Sequence, residues 1–510
     1  MKNHDQKKSG IIISYLIMGL NIIIGLVYIP FLLSKIGKSE YGIYSLSSSL
    51  ISFITILDLG LGQTLVRYIS KYKALGEEDK EAKINGFFIS TYSAIAVLGL
   101  LIGIVVTFIY PIICRNAMTD YEIYIFRIVF LLLLINTIIS FPMSVFTAIL
   151  NAYEEFFYLK FVNFAVIILK YISFVFLLIA GYKIIAITIT TVVFSIGMQL
   201  LYVAFCFFKL KIKFSFGNYD MTIVKEIVAF SFFIFLNLIV DFLYNNTDKI
   251  ILGAIKGTME VSIYSMGIYF MTYFQELSTA MSGVFMPQIT KIYEETQNLS
   301  RLSDIFLKIG RLQLTLLSVV LGGYILFGKE FIILWLGEEF INSYYIGLII
   351  MIPAIIPLTQ NIGISILRAM NMHRYRSYMY LVIAVINVVI SIPLARKWSG
   401  VGSAIGTSIA TLMGQIIFMN WFYKKVVNID IKTYWLNLTQ FLLPNLLFIT
   451  VGFYIKNVWG ILSWNRLIVY MCVYVLVIFV WDWIFVFNKY EKEMVKKIIK
   501  NKSKDLVRDN

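Results

Sequence analysis

Polar side chains inside long apolar runs are the first residues here that could do chemistry, because an unsatisfied polar group in hydrocarbon costs several kcal/mol. In the run 226–254, Asn237, Asp241, Asn245 and Asp248 follow one another at spacings of four, four and three, which puts them on one helical face. The run 260–289 carries Thr272, Glu276 and Thr279 on one face with Gln275 alongside, and 41–69 carries Ser48, Ser52, Thr55 and Asp58. Such stripes either glue helices together through hydrogen bonds or line a hydrated cleft. Two aspartates and two asparagines in one line favour the cleft. A cleft of this kind replaces the lost water of a polar cargo, and Asp58, Asp241 or Glu276 could also hold a proton or a sodium ion. Lys170, near the middle of 157–180, fits two roles: it neutralises an anionic headgroup, or it pairs with a buried acid such as Asp58. Arg127, Arg368 and Asp482 stand near the ends of their runs, where reaching out to the interface is expected.

Enzymatic chemistry finds little support. Cys114, Cys206 and Cys472 are far apart, and His4 and His373 sit beside Lys or Arg in expected loops, so neither a metal site nor a disulfide framework is expected. DLGLGQT (58–64) lacks the strand-turn-helix setting of a dinucleotide fingerprint and reads as close helix packing; no Walker A sequence occurs. The expectation is a non-enzyme with no cofactor and no metal.

The elements that position these residues are membrane helices. Of 510 residues 59% are hydrophobic and 14% charged, too little charge to cover a soluble protein of this size. Continuous apolar runs exclude a membrane barrel. Fourteen spans are expected, at 11–34, 41–69, 86–111, 122–150, 157–180, 182–208, 226–254, 260–289, 304–327, 343–370, 374–395, 401–426, 434–456 and 463–487. The first reads as an uncleaved span rather than a signal peptide. Both termini together with every second loop hold 31 of the 44 Lys and Arg, which places both termini in the cytoplasm. The net charge of +15 and the basic tail KKIIKNKSK point to anionic lipid headgroups and not to nucleic acid. No expected loop has room for a soluble catalytic domain, and 328–340 reads as a short interfacial segment.

The chain also resembles itself. At an offset of 220, Gly37, Glu40, Ile43, Tyr44 and Ser45 overlie Gly257, Glu260, Ile263, Tyr264 and Ser265. Asn21 overlies Asp241, while Ser52, Thr55 and Asp58 overlie Thr272, Gln275 and Ser278. Spans 1–6 and 7–12 therefore read as copies sharing one orientation, related by an axis along the membrane normal, with a path between them suited to alternating access. The expected architecture is all-α: an N-terminal lobe at 1–220, a C-terminal lobe at 221–430, then spans 13–14 and a basic tail at 431–510. The stripes of spans 1, 2, 7 and 8 would meet in a central cleft.

IGKSEYGIYSLSSSLISFITILDLGLGQTLVRYISKYKALGEEDK, NNTDKIILGAIKGTMEVSIYSMG and the run from PLTQNIGISILRAMNMHRYRS resemble the bacterial polysaccharide transporters. These are the O-antigen and capsule-type flippases of the multidrug/oligosaccharidyl-lipid/polysaccharide exporter superfamily. The resemblance implies a multi-pass protein of the bacterial inner membrane that moves an undecaprenyl-pyrophosphate-linked oligosaccharide to the outer leaflet. It also implies a polysaccharide polymerase or export machinery as partners. It transfers no catalytic motif, so the site residues rest on the stripes. Two rivals stay open. A drug/cation antiporter of the same superfamily would suit the acids of span 7, and a membrane-embedded polymerase would act on the same lipids.

Overall fold

The computed structural model describes residues 2–217, 221–370, 372–460, 463–489 and 491–493, and every regular element among them is helical. The tail KKIIKNKSK lies outside these residues. Among the described residues eleven helices are long and apolar enough to cross a membrane. Two of them, 60 and 51 residues long, each run through two of the expected spans. Span 8 lies in the helix Thr258–Thr296, which is not among the eleven. The chain forms two compact units. The first holds the residues up to Ser265 with Val388–Ser403; the second holds Met266–Asn387 with the chain from Ala404 onward.

In the first unit, spans 2 and 7 pack antiparallel along their length. Tyr68 donates to Glu226 (3.0 Å), the Thr64 and Ser231 hydroxyls are 3.1 Å apart, and the Phe53 and Phe242 rings are 5.5 Å apart. Span 2 is not one helix. The helix Lys2–Thr55 passes into a tight turn at Ile56–Asp58, then Leu59 (φ 54°) and Gly60 (φ 71°) turn left-handed before Leu61–Leu75 resumes. Gly60 also serves the packing expected of it, since a Cβ there would lie 2.2 Å from Ile234 Cγ2.

The positions paired at the 220 offset do equivalent backbone work. Gly37 (φ 78°) and Gly257 (φ 86°) both adopt the left-handed conformation that only glycine enters without strain. Glu40 accepts from the amide of Ile184 (3.2 Å), and Glu260 accepts from that of Gly400 (2.8 Å). Each carboxylate thus satisfies an orphan amide where another helix begins. Ser45 and Ser265 hydrogen-bond to each other at 2.7 Å. A residue that touches its own equivalent sits where an axis relating two copies would pass.

In the second unit, span 10 breaks between Ile341–Thr359 and Ile362–Ala369, behind Pro353 and Pro357. Ser278 donates to the Leu358 carbonyl at the break (2.6 Å) and is itself held by Gln313, which donates to its carbonyl (3.0 Å), and by Asn361, which donates to its hydroxyl (2.8 Å). Spans 13 and 14 pack on span 9, with Leu326, Phe327, Leu467, Tyr474 and Ile478 forming a shared apolar core. The helix Leu299–Leu336 runs into the segment 328–340, a tight turn follows at Glu338–Phe340, and Trp335 is buried where Phe270 and Phe331 pack on its indole. Asp482 departs from expectation. Arg127 and Arg368 are exposed, but a widened turn at Asp482–Val486 swings Asp482 inward to 2% exposure.

Candidate functional site

The first unit positions nine of the twelve candidate residues. Asn21, Thr55, Asp241 and Asn245 are exposed although they lie within membrane-length helices; Ser52, Asp58, Lys170 and Asn237 are half-buried. Asn245, at the end of its helix, donates to the Asp241 carbonyl at 2.9 Å. The hydroxyls are partly spoken for by their own helix. Ser52 donates to Ser48 O (2.9 Å), and Thr55 donates to Ser52 O (2.8 Å).

The span 7 stripe divides in two. Its helix stops at Asn245, Asn246 is non-helical (φ −123°, ψ −26°), and a new helix Thr247–Ile255 begins. Asp241 and Asn245 therefore stay on the exposed face, while Asp248 turns inward to 2% exposure. There Tyr264 donates to Asp248 Oδ2 (2.5 Å) and Ser403 to Asp248 Oδ1 (2.7 Å). Both carboxylate oxygens of Asp248 thus accept from hydroxyl donors within the fold.

Asp58 sits at the break in span 2. Tyr92 donates to its Oδ1 at 2.6 Å, and the Gly60 amide points at the same carboxylate. Lys170 is not Asp58's partner. Its ammonium lies 5.3 Å from the Tyr171 ring centre and 5.9 Å from that of Phe174, and no carboxylate among the described residues pairs with it. Tyr28 packs edge-on against Tyr171 (5.0 Å) and stacks on Phe174 (5.8 Å).

In the second unit, Thr272, Gln275 and Glu276 are all exposed on the helix Thr258–Thr296. Thr272 donates back to Ile268 O (3.1 Å), leaving the amide and carboxylate of the pair outward. Among the described residues no group of three or more His, Cys, Asp or Glu could hold a metal ion.

Sequence reasoning missed the phenols: Tyr92 on Asp58, Tyr264 on Asp248, Tyr28 and Tyr171 near Lys170. A tyrosine in an apolar run reads as core packing, and only Tyr264 carried a signal, its match with Tyr44 in the repeat.

The profile of the family described as polysaccharide biosynthesis protein matches residues 8–293, more than half the chain. The chain belongs to that family. No curated protein matches it at the sequence level. Its fold resembles that of the lipid II flippase MurJ in an inward closed conformation, with a TM-score of 0.72 over 92% of this chain and 98% of that one, at 16% identity. It also resembles an inward-facing multidrug resistance transporter of the MATE family and MOP superfamily, with a TM-score of 0.54, 75% and 91% coverage and 15% identity. The Vibrio cholerae MATE transporter VcmN gives 0.54, 83% and 99%, and 14%. At these identities the likeness is one of fold. This member of the polysaccharide biosynthesis family is thus an all-helical, multi-pass membrane protein with a MurJ- and MATE-like fold.

Proposed function

We propose that this protein is a flippase that carries undecaprenyl-pyrophosphate-linked oligosaccharide repeat units from the cytoplasmic to the outer leaflet. The product would serve O-antigen, capsule or a related cell-surface polysaccharide. One conjunction carries the reading: a chain of the polysaccharide biosynthesis family has the fold of a lipid II flippase over nearly all its length. The exposed polar groups at membrane depth on spans 1, 2, 7 and 8 support it, because a sugar crossing the bilayer needs hydroxyl, amide and carboxyl partners in place of water.

In this reading the protein sits in the bacterial inner membrane with both termini cytoplasmic, as its basic residues argue. Spans 1–6 and 7–12 act as two lobes that rock about an axis near Ser45 and Ser265. Lys170 meets the pyrophosphate. Asn21, Ser52, Thr55, Asn237, Asp241, Asn245, Thr272, Gln275 and Glu276 take the sugar, while Asp58 and Asp248 are the candidates for coupling to a proton or cation. Outward movement of negative charge is aided by about 2.3 kcal/mol per charge per 100 mV. A polymerase or export machinery would receive the product.

The antiporter reading draws on the MATE-like fold, but an intramembrane lysine with no acid partner among the described residues suits anionic cargo better than cationic drugs. Deleting the gene and measuring the leaflet distribution of the lipid-linked intermediate separates the readings. Build-up in the cytoplasmic leaflet is expected. An unchanged distribution with altered chain length would instead indicate a polymerase. Restoring the gene as Asp241→Asn or Glu276→Gln should leave membrane insertion intact and slow translocation by roughly tenfold or more, the effect of ~1.4 kcal/mol on the rate-limiting state. Full activity in both variants would remove these carboxylates from the path.

A further inference from the structure

The helix Thr258–Thr296 bears more than its hydroxyl and carboxyl stripe. At about 100° per residue, Tyr269, Thr272, Tyr273 and Glu276 fall within roughly one quarter to one third of its circumference. Tyr269 and Tyr273 are each half-buried, and their hydroxyls are hydrogen-bonded to each other at 2.7 Å. Their rings meet edge to face, 4.9 Å apart at 79°. The Tyr269 ring also stacks on the Trp335 indole, 6.0 Å away at 30°. Trp335 is only 6% exposed, and Phe270 and Phe331 hold it from other sides at 5.6 Å each. The phenol ring is thus stiffened through its neighbour and tied at its hydroxyl, while part of it stays open beside exposed Thr272 and Glu276.

Core packing alone would bury these phenols, and lipid contact would not favour a carboxylate one helical turn away. A rigid aromatic face next to a carboxylate and a hydroxyl matches the two sides of a pyranose. Its axial C–H face stacks on a ring, and its rim of hydroxyls needs donors and acceptors. We infer that Tyr269 and Tyr273, stiffened by Trp335, form a stacking subsite for one sugar ring of the transported lipid, with Thr272 and Glu276 engaging its hydroxyls. With the N-terminus in the cytoplasm, this subsite lies in the outer half of span 8, where cargo leaves. The inference rests on the flippase reading and adds the part of the cargo that this helix grips.

The test uses the full chain in lipid nanodiscs, titrated with undecaprenyl-pyrophosphate-linked N-acetylglucosamine and, separately, with sugar-free undecaprenyl pyrophosphate. Wild-type protein should bind the sugar-bearing lipid more tightly. Tyr269→Ala should weaken that binding by about tenfold, the scale of one aromatic contact, and change the sugar-free lipid by less than about twofold. Tyr269→Phe keeps the ring and should stay within about threefold of wild type. Should Tyr269→Ala fail to fold, Tyr273→Phe removes one hydroxyl only and should cost the sugar-bearing lipid alone about threefold. Equal losses for both lipids would mean contact with the tail and overturn the subsite, as would no loss for either. Wild-type protein that binds neither lipid overturns the flippase reading and the subsite with it.

Discussion

Arg311→Ala should destabilise the second unit by about 3–5 kcal/mol, the loss seen when one partner of a buried ion pair is removed. Arg311 sits near the start of span 9 and spends its whole guanidinium on one corner of the fold. Its Nε donates to Glu491 Oε1 (2.8 Å) and Nη2 to Glu491 Oε2 (3.2 Å) and to the Val486 carbonyl (3.0 Å). Nη1 donates to Asn437 Oδ1 (2.9 Å) and Gln440 Oε1 (3.1 Å). Glu491 is 2% exposed, so alanine at 311 leaves a carboxylate with neither counter-charge nor water. Lysine cannot replace the fork, because a single ammonium cannot span acceptors on spans 13 and 14 and the segment beyond them. The double variant Arg311→Leu with Glu491→Leu removes both charges and should recover most of the loss. Thermal unfolding in detergent, followed by monodispersity on gel filtration, reads the difference. A double variant no more stable than Arg311→Ala would show that the hydrogen bonds to Asn437, Gln440 and Val486 matter more than the charge pair.

That corner was hidden in the sequence for a definite reason. An arginine at the end of an apolar run looks like a residue reaching for the interface, and its partners lie more than 120 residues away. The helix breaks were hidden too. Asn246 separates Asp248 from a stripe that spacing alone places on one face, and Leu59, a non-glycine residue, joins Gly60 in the left-handed region. What could be read were features fixed by local backbone demands. Membrane insertion followed from the length and continuity of the apolar runs. The matches of Gly37 with Gly257, Glu40 with Glu260 and Ser45 with Ser265 were visible because each pair is bound to one job: a positive φ, an amide to satisfy, a close contact. Tyr92 and Tyr28 escaped because phenols are at home in a core and betray a polar role only when their partner is seen.

The same close contact yields the other large effect. A Cβ on Gly42 would stand 1.8 Å from the Thr258 carbonyl oxygen, an overlap of backbone with side chain that no rotamer change relieves. Thr258 shares Glu122 with Ser39, and the Ser45–Ser265 hydrogen bond lies one turn further along. Gly42→Ala must therefore pry the start of span 2 away from the start of span 8. Overpacking of this kind costs about 1–3 kcal/mol, enough to shift a two-state equilibrium by roughly 5–150-fold toward the arrangement in which this end is parted. In the proposed orientation this end would face outward, so a reporter there tests orientation as well as gating. With Cys114, Cys206 and Cys472 replaced by serine, Ser45→Cys supplies one thiol at a position only 8% exposed. A membrane-impermeant maleimide added outside intact cells should label it at least about fivefold faster when Gly42→Ala is present. Gly19→Ala, where an added Cβ meets nothing within 4 Å, should leave the rate unchanged. Equal labelling with and without Gly42→Ala would mean that the contact is not part of an outer gate. Faster labelling accompanied by slower translocation is what alternating access requires, since a lobe pair held apart on one side cannot open on the other.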